Sequence, residues 1–211
     1  MDLFSEHQPE YVPLAEGACW LPGFALPVMD SLCSSLQQHL SEYPAQQMIT
    51  PMGLMSVRTS SMGDWGWMGS KQGYGYSTLN PTTHLPWPAI PPVILQLAAA
   101  AALKAGYPDF VPDSCLINVY EPGSKMGLHQ DKDEMDFSQP IVSLSLGIPA
   151  TFLFGGAKRS DKPLKIPLQH GDAVVWGATS RRFYHGVAQV KANTHPLVGA
   201  QRINLTLRKA R

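Results

Sequence analysis

The stretch that decides the fold is residues 202–208, Arg-Ile-Asn-Leu-Thr-Leu-Arg, near the end of the 211-residue chain. Its polar and apolar residues alternate strictly, and residues two apart on a β-strand point to the same face of the sheet. One face therefore carries the isoleucine and both leucines, and the other carries two arginines, an asparagine and a threonine. The alternation predicts a strand with a buried apolar face. Its polar face either meets water, as in an ordinary edge strand, or lines a site.

Short runs of β-forming residues precede this strand, separated by turn clusters rich in glycine, proline and aspartate. The predicted strands are Cys115–Tyr120, Ile141–Leu146, Thr151–Phe154, Ala173–Trp176, Phe183–Val187 and Ile203–Leu207. Several short strands at this spacing are typical of a sandwich or barrel. We therefore expect a jelly roll over residues 113–211.

The first half of the chain has a different texture. Apolar residues recur every four positions between Pro27 and Tyr43-Pro44, which predicts an amphipathic helix. An alanine-rich run over Val93–Ala105, with Gly106 just past its end, predicts a second helix. Between the two, residues 50–80 alternate glycines with large aromatic residues. This segment indicates either hairpins over a small satellite core or a recognition lid whose aromatic rings stack on a planar ligand.

Composition narrows the class of protein. Formal net charge is zero, with 16 Lys and Arg against 16 Asp and Glu, so any basic surface for nucleic acid would be local. Three widely spaced cysteines without a CxxC motif argue against a disulfide framework or a structural zinc site. The start of the chain lacks an apolar signal region, and the apolar run from Val93 to Leu103 is too short to cross a bilayer. We expect a cytoplasmic protein.

A histidine and a carboxylate lie two positions apart in residues 128–134, Leu-His-Gln-Asp-Lys-Asp-Glu. In an extended segment His129 and Asp131 point to the same side, which gives two thirds of a 2-His-1-carboxylate iron site. Among seven histidines, His185 in the aromatic β run before the last strand is a candidate third ligand. Each feature alone also fits an ordinary solvated turn or a core histidine.

The two arginines of the last strand favour the metal site. Arg202 and Arg208 are six residues apart, about 20 Å along a strand, so they cannot hold one carboxylate together. Their long side chains can converge on opposite ends of a small dicarboxylate, and the planar guanidinium suits carboxylates better than lysine does. The pattern predicts an acidic co-substrate beside an iron ion.

Taken together, these residues resemble the AlkB family of Fe(II)/2-oxoglutarate-dependent dioxygenases, in particular the bacterial DNA-repair demethylases. Other matching motifs are Leu116–Tyr120, Ser143–Gly147, Phe154–Gly156, Gly171–Gly177 and Gln72–Ser77. The resemblance covers nearly the whole chain. It implies an α+β, β-rich fold in one domain over residues 1–211, with helices, a nucleotide-recognition lid within 1–112 and a double-stranded β-helix (jelly-roll) core over 113–211.

The resemblance also implies the cofactors and the residues that hold them. His129, Asp131 and His185 would be the catalytic Fe(II) ligands, with O2 as the oxidant. The residues implied for the co-substrate 2-oxoglutarate are Asn118, Tyr120, Arg202, Asn204 and Arg208. Of these, Arg202 would pair with the distal carboxylate, and Arg208 with the carboxylate at the metal end. The products would be succinate, CO2, formaldehyde and a repaired base.

The implied substrate is a base of the 1-methyladenine or 3-methylcytosine type in single- or double-stranded DNA, with RNA as a further candidate. The methylated edge is hidden in a duplex, so the base must be flipped out or unpaired. Trp67 resembles the residue that stacks on this base opposite His129. Tyr74 and Tyr76 resemble residues of the lid that contact phosphates.

Acidic and basic residues complete the implied substrate site. Methylated bases of this type are cationic, so Asp133 and Glu134 would favour them, with Asp133 reaching the exocyclic amine; the alternative for both acids is a solvated turn. Arg159 lies where the family has an arginine that contacts nucleic acid. Further local positive charge, or plain surface, is offered by Lys71, Lys125, Lys158, Arg181 and Arg182. One departure is the loop 50–56, with Met52, Leu54 and Met55 where bacterial relatives tend to have an aromatic residue.

Other functions stay open from the sequence alone. One is a related 2-oxoglutarate oxygenase with another substrate, and another is a non-catalytic nucleic-acid-binding jelly roll. A zinc hydrolase built on the same triad is disfavoured because hydrolysis does not need the arginine strand. We expect a monomer.

Overall fold

Residues 9–51 and 53–211 are described by the structure, a computed structural model. Short strands dominate it. In chain order the strands are β1 (Val12–Ala15), β2 (Ala18–Leu21), β3 (Gln46–Thr50), β4 (Gly53–Gly63), β5 (Gly66–Ser70), β6 (Gly73–Ser77), β7 (Ser114–Tyr120), β8 (Met126–His129), β9 (Ile141–Gly147), β10 (Ala150–Phe154), β11 (Leu164–Leu168), β12 (Ala173–Trp176), β13 (His185–Val187) and β14 (Arg202–Arg208). The helices are α1 (Met29–Glu42) and α2 (Pro92–Lys104), as the two helical patterns predicted.

The strands form two antiparallel sheets and a separate hairpin. The large sheet has the order β1-β2-β12-β9-β14-β7-β4-β3, and the small sheet has the order β11-β10-β13-β8. Among the described residues, strands β5 and β6 pair only with each other and make the aromatic hairpin, residues 66–77. The predicted β-rich jelly roll with few helices is confirmed.

Strand β14 lies in the middle of the large sheet, between β9 and β7. Every one of its seven residues is buried, including both arginines. The edge-strand alternative for residues 202–208 is therefore wrong, and the polar face of β14 is turned to an interior site.

Two hydrophobic clusters lie on opposite sides of the large sheet. On one side Ile203, Leu205 and Leu207 pack with residues of both helices, such as Leu32 and Ile94. On the other side a second cluster joins the large sheet to the small one and includes Trp176, Phe152 and Phe154. The layers are thus helices, large sheet and small sheet, and the polar residues of β14 face the small sheet.

The strands that the sequence did not reveal are short or carry weak signals. Strand β11 contains Pro167, which argues against a strand, but β11 is at the edge of its sheet, where a missing N–H is tolerated. The run predicted from Phe183 becomes a strand only at His185, because the Phe183 N–H closes a turn on the Ser180 carbonyl. Strands β1–β4 lie before residue 113 yet join the large sheet, and the division at residue 112 stays a prediction.

Membrane insertion by a helix has no support in the described residues, since none of their helices is both long and apolar enough to span a bilayer.

Candidate metal and co-substrate site

The two histidines of the predicted triad meet across neighbouring strands. His129 of β8 and His185 of β13 are directly opposite each other in the antiparallel register, so their side chains share one face. Their ring centroids are 4.4 Å apart. Gly186 permits this approach, because a Cβ there would lie 2.6 Å from the Met126 carbonyl oxygen.

Asp131 completes a set of three converging ligand atoms. Its Oδ1 lies 3.6 Å from Nε2 of His129 and 3.8 Å from Nε2 of His185. Its Oδ2 accepts hydrogen bonds of 2.9 and 2.7 Å from Nε and Nη2 of Arg208. The carboxylate therefore presents one oxygen to the two imidazoles, and Arg208 holds the other.

The histidine tautomers fit a metal ion. Nδ1 of His129 lies 2.9 Å from the Gly127 carbonyl oxygen, and Nδ1 of His185 lies 3.0 Å from that of Phe183. A carbonyl oxygen only accepts, so each Nδ1 carries the proton and each Nε2 has a free lone pair. Two such nitrogens and one carboxylate oxygen, within 4.8 Å of one another, are the donor set that Fe(II) oxygenases use.

Electrostatics prepare two of the three ligands, His185 and Asp131; burial lowers the pKa of His129, but the hydrogen bond and charge of Asp131 outweigh burial and raise it. Burial, and then the neighbouring His129, lower the pKa of His185 to about 4, which keeps this imidazole neutral at physiological pH. Burial alone would raise the pKa of the Asp131 carboxyl, but Arg208 and the two histidines hold it well below its usual value. A neutral imidazole and an ionised carboxylate are the protonation states that bind a metal.

Arg202 is a buried cation with unused donors. Its side chain is almost fully buried, and within the described chain its Nε and Nη1 have no partner. Nη2 donates to Ser145 at 3.2 Å, and the guanidinium lies over the Tyr120 ring at 4.9 Å from the centroid. Burial lowers the pKa of Arg202, although Tyr120 opposes the shift. A buried charge with two unpaired nitrogens fits an anionic ligand, such as a carboxylate.

Neighbouring polar groups extend this site along the sheet. Asn204 donates to Ser143 at 2.7 Å, and Asn118 lies opposite Asn204 with its Oδ1 unpaired among the described residues. Arg208 has one nitrogen, Nη1, without a described partner. The sequence placed Ser143 and Ser145 in a matching motif but did not identify them as site residues; their signal is the Ser-Leu-Ser alternation of β9, which matches the polar face of β14 in register.

The aromatic hairpin meets the segment that follows Asp131. Trp67 donates from Nε1 to Asp133 at 3.1 Å and stacks on Tyr74 with ring centroids 5.4 Å apart. The Tyr76 hydroxyl donates to Glu134 at 2.6 Å. The structure thus brings these five predicted substrate residues into one neighbourhood, and their contacts with a base stay predictions.

Neither Glu134 nor Arg181 lies at the surface, where the sequence left room for both. Both are buried, and they form an ion pair of 3.1 Å. The solvated-turn alternative for Glu134 is therefore wrong, and Arg181 is no surface cation. Arg182 is exposed, as are Lys71, Lys125 and Lys158. Arg159 is also exposed and lies over the Tyr184 ring at 5.2 Å.

In the segment 50–56, Thr50 ends β3 and Gly53 begins β4. Met52 lies outside the described residues, and Leu54 is 63% exposed at the start of β4. No described contact connects Leu54 to the metal ligands.

Comparisons with known proteins match both the sequence and the fold. The family model of the 2OG-Fe(II) oxygenase superfamily matches residues 17–208. The alpha-ketoglutarate-dependent dioxygenase AlkB of Escherichia coli is 50% identical over 211 residues, which is all of this chain and 98% of that protein. The DNA N(6)-methyladenine demethylase ALKBH1C of Arabidopsis thaliana is 38% identical over 113 residues, 48% of this chain and 25% of its own. The solved structure of OsALKBH1 superposes with a TM-score of 0.80 at 28% identity, covering 94% of this chain and 99% of that one.

Proposed function

The chain belongs to the AlkB family within the 2OG-Fe(II) oxygenase superfamily, and from this premise we propose that it repairs nucleic acid by demethylating N-alkylated bases. It is a dioxygenase that uses Fe(II), 2-oxoglutarate and O2. The proposed substrates are 1-methyladenine and 3-methylcytosine in DNA, with RNA as a second polymer. The proposed products are the unmodified base, formaldehyde, succinate and CO2.

One observation carries the choice of substrate. The aromatic hairpin is attached to the same short segment that carries the metal ligand Asp131, through Trp67–Asp133 and Tyr76–Glu134. An aromatic ring and a carboxylate so close to the metal ligands suit a flat, cationic ligand, which is the character of a methylated base. The demethylase name of the Arabidopsis relative supports a base in nucleic acid as well.

His129, Asp131 and His185 hold the metal in this proposal. Bound Fe(II), with 2-oxoglutarate and O2, supplies the oxidising chemistry that hydroxylates the N-methyl carbon. Arg208 fixes Oδ2 of Asp131, so that Oδ1 is presented as a single ligand atom. The carbonyls of Gly127 and Phe183 orient the two imidazoles by accepting from their Nδ1 atoms.

Arg202 binds the distal carboxylate of 2-oxoglutarate. Its unpaired Nε or Nη1 can donate to a carboxylate together with the second N–H of Nη2, and such a two-point contact is the strongest geometry that arginine offers. Tyr120 and Asn204 flank this position on β7 and β14. Asn118 and Nη1 of Arg208 serve the carboxylate at the metal end.

Trp67 and Asp133 recognise the flipped base. The base stacks on the indole of Trp67, and the Asp133 carboxylate accepts a hydrogen bond from its exocyclic amine. For this the bond between Trp67 Nε1 and Asp133 Oδ2, 3.1 Å long here, opens and Asp133 turns to the base. Tyr74, Tyr76 and the exposed Arg159 contact flanking phosphates, and Glu134, which accepts from the Tyr76 hydroxyl, supports this site.

The protein acts as a monomer in the cytoplasm on single- or double-stranded DNA. Three free cysteines support a reducing compartment, since Cys19, Cys33 and Cys115 are all buried as thiols. Burial raises the pKa of the Cys19 thiol to about 11, so it stays protonated and unreactive at neutral pH.

A substrate panel tests the proposal. The protein is incubated with Fe(II), 2-oxoglutarate and oligonucleotides that contain 1-methyladenine or 3-methylcytosine, as single- and double-stranded DNA and as RNA. We expect formaldehyde release from methylated oligonucleotides and none from unmethylated ones. Succinate without formaldehyde across the panel would indicate another substrate, and binding without either product would indicate a non-catalytic module.

A further inference from the structure

Arg181 is a buried arginine with no role in the chemistry described so far. Its side chain is about 2% exposed, and each of its three nitrogens has an acceptor. Nε donates to the Gln139 carbonyl at 3.0 Å, Nη1 to the Asp131 carbonyl at 3.1 Å, and Nη2 to the Glu134 carboxylate at 3.1 Å. Its guanidinium also lies over the Phe137 ring, 5.3 Å from the centroid.

All four contacts fall on one irregular segment, residues 130–140, between β8 and β9. A segment without regular structure has no ladder of backbone hydrogen bonds to fix it, so side chains from elsewhere must satisfy its carbonyls. This segment carries the metal ligand Asp131 together with Asp133 and Glu134. Arg181 therefore holds both ends and the middle of the segment on which these carboxylates depend.

Arg181 also lies close in the chain to another metal ligand, His185. The link between them is a tight turn: Phe183 N–H bonds to the Ser180 carbonyl at 2.9 Å, and the Phe183 carbonyl accepts from Nδ1 of His185 at 3.0 Å. One side chain thus ties the segment of Asp131 to the turn that orients His185.

Glu134 carries the connection onward to the aromatic hairpin. Its Oε2 binds Arg181, while its Oε1 accepts from the Tyr76 hydroxyl at 2.6 Å and lies 3.4 Å from Nε of Arg208. Arg208 in turn binds Oδ2 of Asp131 at 2.7 Å. The closed path Arg181–Glu134–Arg208–Asp131–Arg181 is buried throughout.

We propose that Arg181 is a positioning residue for this oxygenase, which fixes Asp131 against the two histidines and, through Glu134 and Tyr76, holds the aromatic hairpin against the segment that carries Asp131. Three acceptors at three separate points match the planar fork of arginine. A lysine would keep the charge but offers one nitrogen on a flexible stem, so it satisfies only part of the set. The proposal rests on the metal and co-substrate site and does not depend on which base is the substrate.

The test compares Arg181→Lys and Arg181→Ala with the full-length wild-type protein. The first measurement, made without oxygen or nucleic acid, titrates Fe(II) into the protein with excess 2-oxoglutarate, and 2-oxoglutarate into the Fe(II)-loaded protein, and follows the metal-to-ligand charge-transfer absorption in both. We expect Arg181→Lys to weaken metal and 2-oxoglutarate binding by roughly 10- to 100-fold, the range for residues that orient metal ligands. Arg58→Lys is the matched control, since it alters an exposed ion pair with Glu121; its titration should match wild type.

A second measurement separates positioning from general stability. Thermal unfolding is recorded for each variant, and the Arg181→Ala protein is retitrated with guanidinium at low millimolar concentration. Partial restoration of the charge-transfer band by guanidinium is expected, because the cavity and its three acceptors remain. If Arg181→Ala does not fold, Arg181→Lys alone decides.

Wild-type titration curves for Arg181→Lys would overturn the proposal, as would weakened binding in Arg181→Ala that guanidinium leaves unchanged. Failure of the proposed function would give a different result from failure of the role of Arg181. In that case the charge-transfer titrations still separate the variants, while no methylated oligonucleotide releases formaldehyde from the wild type.

Discussion

Arg202 and Arg208 share one face of β14 but are satisfied in different ways. Arg208 is paired with Asp131, and this carboxylate, despite burial, raises the pKa of the guanidinium. Arg202 has only Ser145 and the Tyr120 ring as described partners, and burial lowers its pKa. A buried cation left in this state is unfavourable, so binding of a carboxylate at Arg202 should be strongly favoured.

Arg202→Lys should therefore weaken the binding of 2-oxoglutarate and leave the binding of the oligonucleotide nearly unchanged. Loss of a two-point, charge-assisted contact removes about 1.5–3 kcal/mol, which is roughly a 10- to 100-fold rise in KM for 2-oxoglutarate. KM for the oligonucleotide should change little. Steady-state kinetics with each substrate varied in turn check this, with Arg58→Lys as the control. An unchanged KM for 2-oxoglutarate in a folded variant would contradict the assignment.

At the scale of elements, the aromatic hairpin and helix α1 are attached to the sheets by contacts of different kinds. The hairpin is joined to residues 130–140 by side-chain hydrogen bonds, from Trp67 to Asp133 and from Tyr76 to Glu134. Helix α1 is joined to β4 by apolar packing and by the buried pair His39–Ser60, at 2.9 Å. Substitutions in the hairpin should therefore affect substrate binding, and substitutions at the contact of α1 with β4 should affect folding.

Trp67→Ala should impair binding of the base and leave the co-substrate site intact. Stacking of a base on an aromatic side chain contributes about 1–3 kcal/mol, so KM for a methylated oligonucleotide should rise on the order of 10-fold. Trp67→Phe, which keeps a smaller stacking face, should fall between wild type and Trp67→Ala. Equal KM values for all three proteins would exclude stacking at Trp67.

His39 should make folding sensitive to pH. Burial lowers the pKa of His39 from 6.5 to about 4, despite the opposing effect of Glu42. Between these values the unfolded chain binds a proton that the folded chain does not, so the free energy of unfolding decreases as pH falls from about 6.5 to about 4. Above pH 7 the residue contributes no pH dependence.

His39→Gln keeps a donor for Ser60 and removes the titration. Urea unfolding at pH 7.5 and pH 4.5 should show a smaller loss of stability in this variant than in wild type, by on the order of 1–3 kcal/mol. All other ionisable groups are the same in both proteins and cancel in the comparison. Equal losses in the two proteins would show that His39 is not held neutral in the fold.

At the scale of the whole molecule, the features that could be predicted from the sequence are those that a local periodicity of residues produces. The alternation of residues 202–208, the two helices and most strands of the core follow from spacings within single elements. The partners of Arg181 could not be predicted in this way, because they lie more than 40 positions earlier in the chain. Arg181 and Arg182 are neighbours of the same residue type, and no local pattern distinguishes them, yet Arg181 is buried and Arg182 is exposed.

Because the chain has zero net charge, we expect its affinity for nucleic acid to depend only modestly on salt concentration. With about three phosphate contacts from local cations such as Arg159, log K against log salt concentration should have a slope of about −2 for a single strand. Arg159→Gln should reduce the slope by about 0.7 with little effect on 2-oxoglutarate binding. Fluorescence anisotropy with a labelled oligonucleotide at several salt concentrations measures both. An unchanged slope in this variant would place the phosphate contact elsewhere.

We expect His129, Asp131, His185 and the arginine strand to couple 2-oxoglutarate oxidation to removal of a methyl group from a base. The most direct test counts formaldehyde and succinate together, with a single-stranded 3-methylcytosine oligonucleotide, Fe(II), 2-oxoglutarate and O2. We predict equal amounts of both products and one unmodified cytosine per formaldehyde, with activity lost in His129→Ala. Succinate without formaldehyde, or full activity in a folded His129→Ala protein, would contradict the account.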